Sequence, residues 1–498
     1  MLDFSVANPM GQEEKLESPR TDRGQMPAWQ VDELPAPPPV NFHNIRRMVG
    51  PGAILLAASI GGGEWLAGPA AVVQYGPSIL GVVTIAIVLQ VILNLEAIRY
   101  TLYTGEPIYG GFLRLWPGPR LWAPVYTLLA FVQLAWPALA ASAAVTLIAG
   151  FIGRLPTDAN EATMHWLGTI LMLLVVVILS LGGTIERMLE LVSVIMVSMV
   201  ILFLLVVNVF FIPWEGWVRT FVGFFQLSGF QGNLNWPLMG TLAATAGCGG
   251  IGNLTITNWM RDKGYGMGAR TGAIPSAIAG RKVSFSHFGK IFEVTPTSLR
   301  RWKTWWHYVH VDQIWLWGIG AFLGMFLNVN LAGAIIPQGT ELKGMGIGVY
   351  QAQFLADKIW PGFWILTLVN GFCILFSTQL GNTDVLVRSV TDVLWMGNKR
   401  VRDWGKGKIQ AVYYTILIVY TFLALFAMRI GNPLDQFKIV ANVAGLILVI
   451  SGIQIFLVNR KYLPHQLQGS WWRQVGLLSC ALFYALFFIR VMYSIILE

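Results

Sequence analysis

The sequence predicts an all-α membrane protein of about eleven transmembrane helices, ten of them forming two five-helix repeats of opposite orientation. Three observations carry that expectation. Mean hydropathy is +0.60; the apolar residues gather into eleven runs separated by short polar turns; and two of those runs, five apart, are interrupted by glycines at mid-depth.

Of the 498 residues, 55% are apolar and 12% charged, too little polar surface to cover a soluble globule of this size. The formal charge of +9 does not indicate a nucleic-acid partner, because the basic residues sit in short loops between apolar runs. Cys248, Cys373 and Cys480 each lie inside an apolar run without CxxC spacing, which argues against a disulfide framework or a zinc site. Residues 1–47 are polar, carry the run PAPPP at 35–39 and lack a signal-peptide core. They are expected to form a disordered cytoplasmic tail.

A membrane helix needs roughly 20 apolar residues, since only its own backbone can satisfy its peptide groups in hydrocarbon. Such runs fall near 48–75, 78–104, 121–150, 165–185, 188–212, 236–259, 309–334, 361–388, 409–430, 435–458 and 474–496. The first repeat then spans 48–212, the second 236–458, and 474–496 is an eleventh helix. Lys and Arg concentrate in alternate segments: the tail, Arg114 and Arg120, Arg187, the stretch from Arg261 to Lys303, Lys399 to Lys408, and Arg460, Lys461 and Arg473. The positive-inside rule therefore places the N-terminus in the cytoplasm and, with an odd number of crossings, the C-terminus outside. A plasma-membrane protein surrounded by lipid and acting as a monomer is the expectation. The segment 260–308 holds nine Lys or Arg against Asp262 and Glu293, and reads as a cytoplasmic loop anchored to anionic lipid.

The first run contains Gly61, Gly62, Gly63 and Glu64 at mid-membrane depth. Each glycine costs up to ~1 kcal/mol against alanine in a helix, and a carboxylate there costs more unless paired or wet. The sixth run repeats the interruption with Gly247, Gly249, Gly250 and Gly252. Corresponding breaks five helices apart are what inverted repeats produce when two helices unwind around a substrate site. Other intramembrane polar groups suggest pairing: Glu96 with Arg99, and Arg388 with Asp384 and Asp392. Glu186 and Glu190 at a helix boundary are expected in solvent. Asn442, Gln379 and Asn382 are each either interhelical hydrogen bonds or ligands.

The stretch GPGAILLAASIGGGEW at 50–65 resembles the first helix of the Nramp family of divalent metal transporters, with its DPGN motif rewritten as Gly61 to Glu64. LQVILNLEAIRYTLYTGE at 89–106 is similar to that family's second helix, and GNL at 252–254 stands where it has HNL. The resemblance implies a LeuT-type fold and a metal site in which Asn442 replaces a binding-site glutamine. Most of the family's ligands are altered: its aspartate is Gly61, its asparagine Glu64, its methionine Gly250 and its histidine Gly252. Leu134 and Pro137 stand where its proton route carries acids. The resemblance thus points to the magnesium-transporting relatives. Losing a thioether and keeping one carboxylate also shifts a site toward hard cations.

Three readings follow. The first is a secondary transporter of Mg2+ or Mn2+, the ion being substrate and not cofactor, bound by Glu64 and Asn442 with the carbonyls of Gly61 and Gly247, beside Gly250, and without obligatory proton coupling. The second keeps the fold and carries a small organic solute such as an amino acid, whose carboxylate would meet half-helix N-termini. The third is a receptor or scaffold reporting through 260–308. No enzyme is expected, because no HExxH and no nucleophile beside a base occur.

Overall fold

The computed structural model describes residues 26–181, 185–228, 234–275, 288–340, 347–430 and 433–497, with two short strands at 5–7 and 13–15. Among the described residues, nine helices are long and apolar enough to cross a bilayer. Two further crossings, 51–75 and 236–263, are each broken midway and complete the expected eleven.

Burial sorts these spans into centre and rim. The eighth, Phe363–Gly397, is 72% buried over its apolar window, whereas the fifth, Ile185–Phe211, is 22% buried. The fourth, Glu161–Ser180, and the eleventh, Trp471–Ile496, resemble the fifth at 28%. Their outward faces carry apolar side chains such as Leu202, Phe210, Leu482 and Ile489, a surface suited to the hydrocarbon of a bilayer. The central spans read differently in sequence for the same reason. They hold polar residues, Gln90, Asn94, Thr378 and Asp384 among them, whose partners lie on neighbouring helices.

The third span is two helices, Pro119–Leu134 and Ala138–Ile152. Pro137 has no N–H to continue the ladder, and the Ala140 amide beyond it donates to Gln379 Oε1 at 3.2 Å. The seventh span begins at Pro296, well before the apolar run, where Thr295 and Ser298 cap one another's amides. It runs to Ile335 through a widened π-helical stretch, Val311–Gly318. The segment 260–308 is therefore not one loop: residues to Lys263 extend the sixth span and Pro296–His310 is helix. Arg281 and Lys282 lie outside the described residues.

Nor are its cations all directed at lipid. Arg261 pairs with Asp262 and with Asp392 of the eighth span, at 2.7 and 2.8 Å. Arg388 binds Asp384 at 2.8 Å and also reaches Asp262, while Asp392 pairs with Arg261 instead of with Arg388. These five groups are almost wholly buried and join the end of the sixth span to the eighth. Glu96 and Arg99 pair as expected at 3.0 Å. Glu186, expected in solvent, is 5% exposed. With Glu190 it receives Lys263, which lies 3.7 and 2.5 Å from the two carboxylates; carrying Lys263 on a helix draws it over the fifth span.

Residues 26–47, read from sequence as part of a disordered tail, pack along one end of the bundle. Trp29 lies under the Arg114 guanidinium at 4.2 Å and edge-on to Tyr462. Gln30–Val31 pairs in parallel with Lys290–Ile291. Asp32 accepts from Lys290 at 2.8 Å, a bond that holds its carboxyl below the usual range. The proline run offers carbonyls without amides: Pro35 accepts from Trp305, and Pro38 and Pro39 from Tyr308. The short helix Phe42–Met48 then leads into the first span.

Candidate functional site at the two helix breaks

The first span runs as α-helix from Pro51 to Ser59, breaks at Ile60 to Gly62, and resumes as a π-turn, Gly63–Ala67, continued by Gly68–Tyr75. Its glycines answer to close approach, not to unusual backbone angles. A Cβ on Gly61 would lie 2.4 Å from Thr378 Oγ1, on Gly62 2.3 Å from the Phe437 ring, and on Gly63 2.4 Å from the Thr245 carbonyl oxygen. Three helices, the eighth, tenth and sixth, therefore close on three successive residues. The Thr378 hydroxyl lies 3.2 Å from the Ala57 carbonyl oxygen and 3.0 Å from that of Ile60, and its single proton is shared with the Ile374 carbonyl of its own helix at 2.9 Å.

The sixth span is helical over Trp236–Thr245 and again over Ile251–Lys263. Between them Gly249 and Gly250 have φ of +76° and +55°, the left-handed region that glycine enters at least cost. Two glutamines satisfy the opened backbone. Gln133 of the third span accepts from the Ile251 amide at 3.0 Å and donates to the Gly249 carbonyl at 3.3 Å. Gln90 of the second accepts from the Gly249 amide at 3.4 Å and donates to Tyr484.

Glu64 is fully buried within the resumed first helix. One carboxylate oxygen accepts from the Gly61 amide at 2.9 Å, while the other, Oε1, has no hydrogen-bond partner in the protein. A buried carboxylate with half its acceptor capacity unused costs several kcal/mol. Such a group calls for water, a proton or a cation.

The other expected site residues divide. Gly247 faces Gln90 and Trp317, Gly250 faces Gln133 and Ala444, and Gly252 lies under the Cys248 sulfur, so all three stand at the sixth-span break. The Gly61 carbonyl accepts from the Trp65 amide at 2.9 Å, which engages one of its two lone pairs. Asn442 turns elsewhere. It donates to the Lys438 carbonyl on its own helix at 2.8 Å, and its Oδ1 faces Gly240, about one and a half helical turns before the helix ends at Thr245. Phe437 and Ala444 are the tenth-span residues that meet the breaks, at Gly62 and at Gly249 with Gly250. Gln379 is an interhelical bond, to Ala140 and to Tyr420 at 3.0 Å.

Sequence reasoning passed over Gln90, Gln133 and Thr378. The signal was present, since an amide inside an apolar run must find a partner. Cys248, dismissed for want of a spacing motif, sits in the break with its sulfur over Gly252. Glu106 of the TGE sequence is an anchor, binding Arg114 at 2.7 Å and Tyr100 at 2.5 Å.

No family model matches the sequence, and no curated protein does. The fold is similar to that of the manganese transporter of Eremococcus coleocola. Its crystal structure in complex with an aromatic bis-isothiourea substituted compound gives a TM-score of 0.61 at 13% identity, covering 95% of this chain and 90% of that one. Structures of two point mutants of the same transporter give 0.59 at 13% and 14% identity, with the same coverage. The chain thus has a LeuT-type fold, two inverted five-helix repeats with the first and sixth helices broken, followed by an eleventh span.

Proposed function

We propose that the protein is a secondary transporter of divalent cations, Mg2+ or Mn2+, with Glu64 as the charged ligand. The observation that carries the reading is the buried Glu64 carboxylate at the break of the first span, with one oxygen unpartnered. A cation entering there gains a full charge partner. Carbonyls of Gly61 and Gly247 and retained waters supply further oxygens, as hard cations require. Asn442 joins them only if the tenth span turns about its axis. The name of the structurally similar manganese transporter agrees with this class of substrate.

The rival reading, an amino acid, needs free amides for its carboxylate. At these breaks the Gly61, Gly249 and Ile251 amides are taken by Glu64, Gln90 and Gln133, which favours a cation. We also propose that transport needs no obligatory proton coupling, since Leu134 and Pro137 stand where the proton route of the family that the sequence resembles carries acids. From the alternation of basic segments we also propose an N-terminus in the cytoplasm and a C-terminus outside the plasma membrane.

Uptake of Mg2+ and Mn2+ into proteoliposomes tests the proposal. Glu64→Ala should abolish it while the variant still elutes as a monodisperse species. Uptake that survives the substitution would overturn the ligand role, and metal-driven acidification of the lumen would overturn the uncoupled part.

A further inference from the structure

At the end of the bundle away from residues 26–47, a cavity of about 310 Å³ opens where the first and seventh spans finish. It has the size at which small-molecule sites begin, about 300 Å³. Two short helices complete its wall, Trp214–Gly223 and Ile347–Lys358. Each contributes a cation, Arg219 and Lys358, and among the described residues no acid lines the cavity. Carbonyls at the end of the seventh span fix the two heads. Arg219 donates to Gly333 at 3.2 Å and Lys358 to Ile335 at 2.6 Å. Among the described residues neither has a carboxylate partner. A guanidinium carries five N–H donors and an ammonium three, so most of both sets stay unused. The Gln338 amide nitrogen stands over Gly76, 3.5 Å from where a Cβ would lie, and adds a neutral donor.

The surroundings identify the anion that fits. Trp214–Gly223 is seated by Thr220, which donates to Asn330 at 2.8 Å, and by Gly223 against the Pro77 carbonyl. Its other side is apolar and exposed: Trp214, Val218, Phe221 and Val222, with Phe225 just beyond. Val218 and Val222 flank Arg219 on that helix, and exposed Trp360 follows Lys358 by two residues. Exposed tryptophans and an amphipathic helix at the ends of membrane spans mark the level of lipid headgroups. We propose that the cavity binds the phosphate of an anionic phospholipid, with Arg219 and Lys358 as its charge partners and the apolar side of Trp214–Gly223 as the bed of its acyl chains. A zwitterionic headgroup would bring an ammonium toward two cations, whereas a glycerol headgroup brings none. Because Val72, Val73 and Ile335 line the same cavity, the lipid braces the second half of the first span against the seventh. The site is separate from Glu64 and does not depend on the metal reading.

Native mass spectrometry of the full chain, titrated in detergent with phosphatidylglycerol, tests the proposal. One lipid should be retained most tightly, and phosphatidylcholine should bind about tenfold more weakly or less. Arg219→Gln and Lys358→Gln should each weaken phosphatidylglycerol about fivefold, and the pair about thirtyfold. Arg154→Gln with Arg429→Gln removes the same charge from exposed positions outside the cavity, and affinity should stay within about twofold. Thermal unfolding gives a second reading: phosphatidylglycerol should raise the midpoint of the parent and not of the cavity double variant. Should that variant aggregate, the two single variants carry the test. Equal affinity in parent and cavity variants overturns the site, and an equal loss in the control pair overturns it in favour of a general surface field. Displacement by inorganic phosphate or glycerol phosphate at the lipid's own concentration keeps the anion site and overturns the lipid.

Discussion

Gly63→Ala and Gly150→Ala are the same chemical change on two membrane helices, and the structure assigns them opposite signs. At Gly63 the added Cβ would fall 2.4 Å from the Thr245 carbonyl oxygen, 2.6 Å from its Oγ1 and 2.9 Å from its Cβ. Ordinary contacts lie near 3.5 Å, so one helix must retreat by about 1 Å. The obstructing atom is backbone of the sixth span and has no rotamer to escape into. Overpacking of this kind costs about 1–3 kcal/mol, and the contact with main chain argues for the upper end. At Gly150, inside Ala138–Ile152, the nearest atom to a new Cβ is Leu368 Cδ1 at 3.8 Å. There alanine only restricts the unfolded chain and should stabilise by about 0.4–1 kcal/mol. Thermal unfolding in detergent, followed by the fluorescence of the 21 tryptophans, should lower the midpoint for Gly63→Ala and leave it level or raised for Gly150→Ala. Metal uptake should fall only for the former. Two equal midpoints would refute the view that the glycines of the first break serve contact between the first and sixth spans.

Three further outcomes follow from the contacts. Arg388→Met leaves Asp384 and Asp262 buried without their shared cation and should destabilise by about 3–5 kcal/mol. Adding Asp384→Asn should recover part of that loss, and an unchanged midpoint for the single variant would show that the carboxylates find other partners. Thr378→Val keeps shape but removes the hydroxyl beside the Ala57 and Ile60 carbonyls. It should cost about 1–3 kcal/mol, and Thr378→Ser should cost less; the reverse order in thermal midpoints would count against the hydroxyl. Trp29→Ala withdraws the ring from Arg114 and Tyr462. Limited proteolysis should then cut within residues 26–41 faster than in the parent chain, and equal rates would mean that the strand pairing, the Asp32–Lys290 bond and the proline carbonyls hold this segment without the ring.

Spans, their number and the two breaks were legible because each is a local property. A run of apolar residues needs lipid whatever surrounds it, and glycines beside a carboxylate at mid-depth are costly in any membrane helix. Polar residues inside the seventh and eighth spans were legible only as polar. Asp392 and Arg388 sit at helical spacing, yet each pairs with a residue of the sixth span, because at their depth the sixth span presents a charge of opposite sign. The tail misled for a related reason. Its composition matches chains that cannot bury apolar surface, but Trp29 and a set of proline carbonyls suffice when the bundle supplies the donors.

By itself the sequence determined that this chain crosses a membrane about eleven times and that its first and sixth crossings are interrupted around Glu64. Hydropathy and backbone cost act residue by residue, so no neighbour was needed to read them. Tertiary structure alone decided which side chains complete the breaks: Thr378, Gln90 and Gln133 at the backbone, and Phe437 and Ala444 from the tenth span where Asn442 was expected. These meetings depend on how helices far apart in the chain rotate against one another. That rotation is set by packing of the whole bundle, and no single segment carries it.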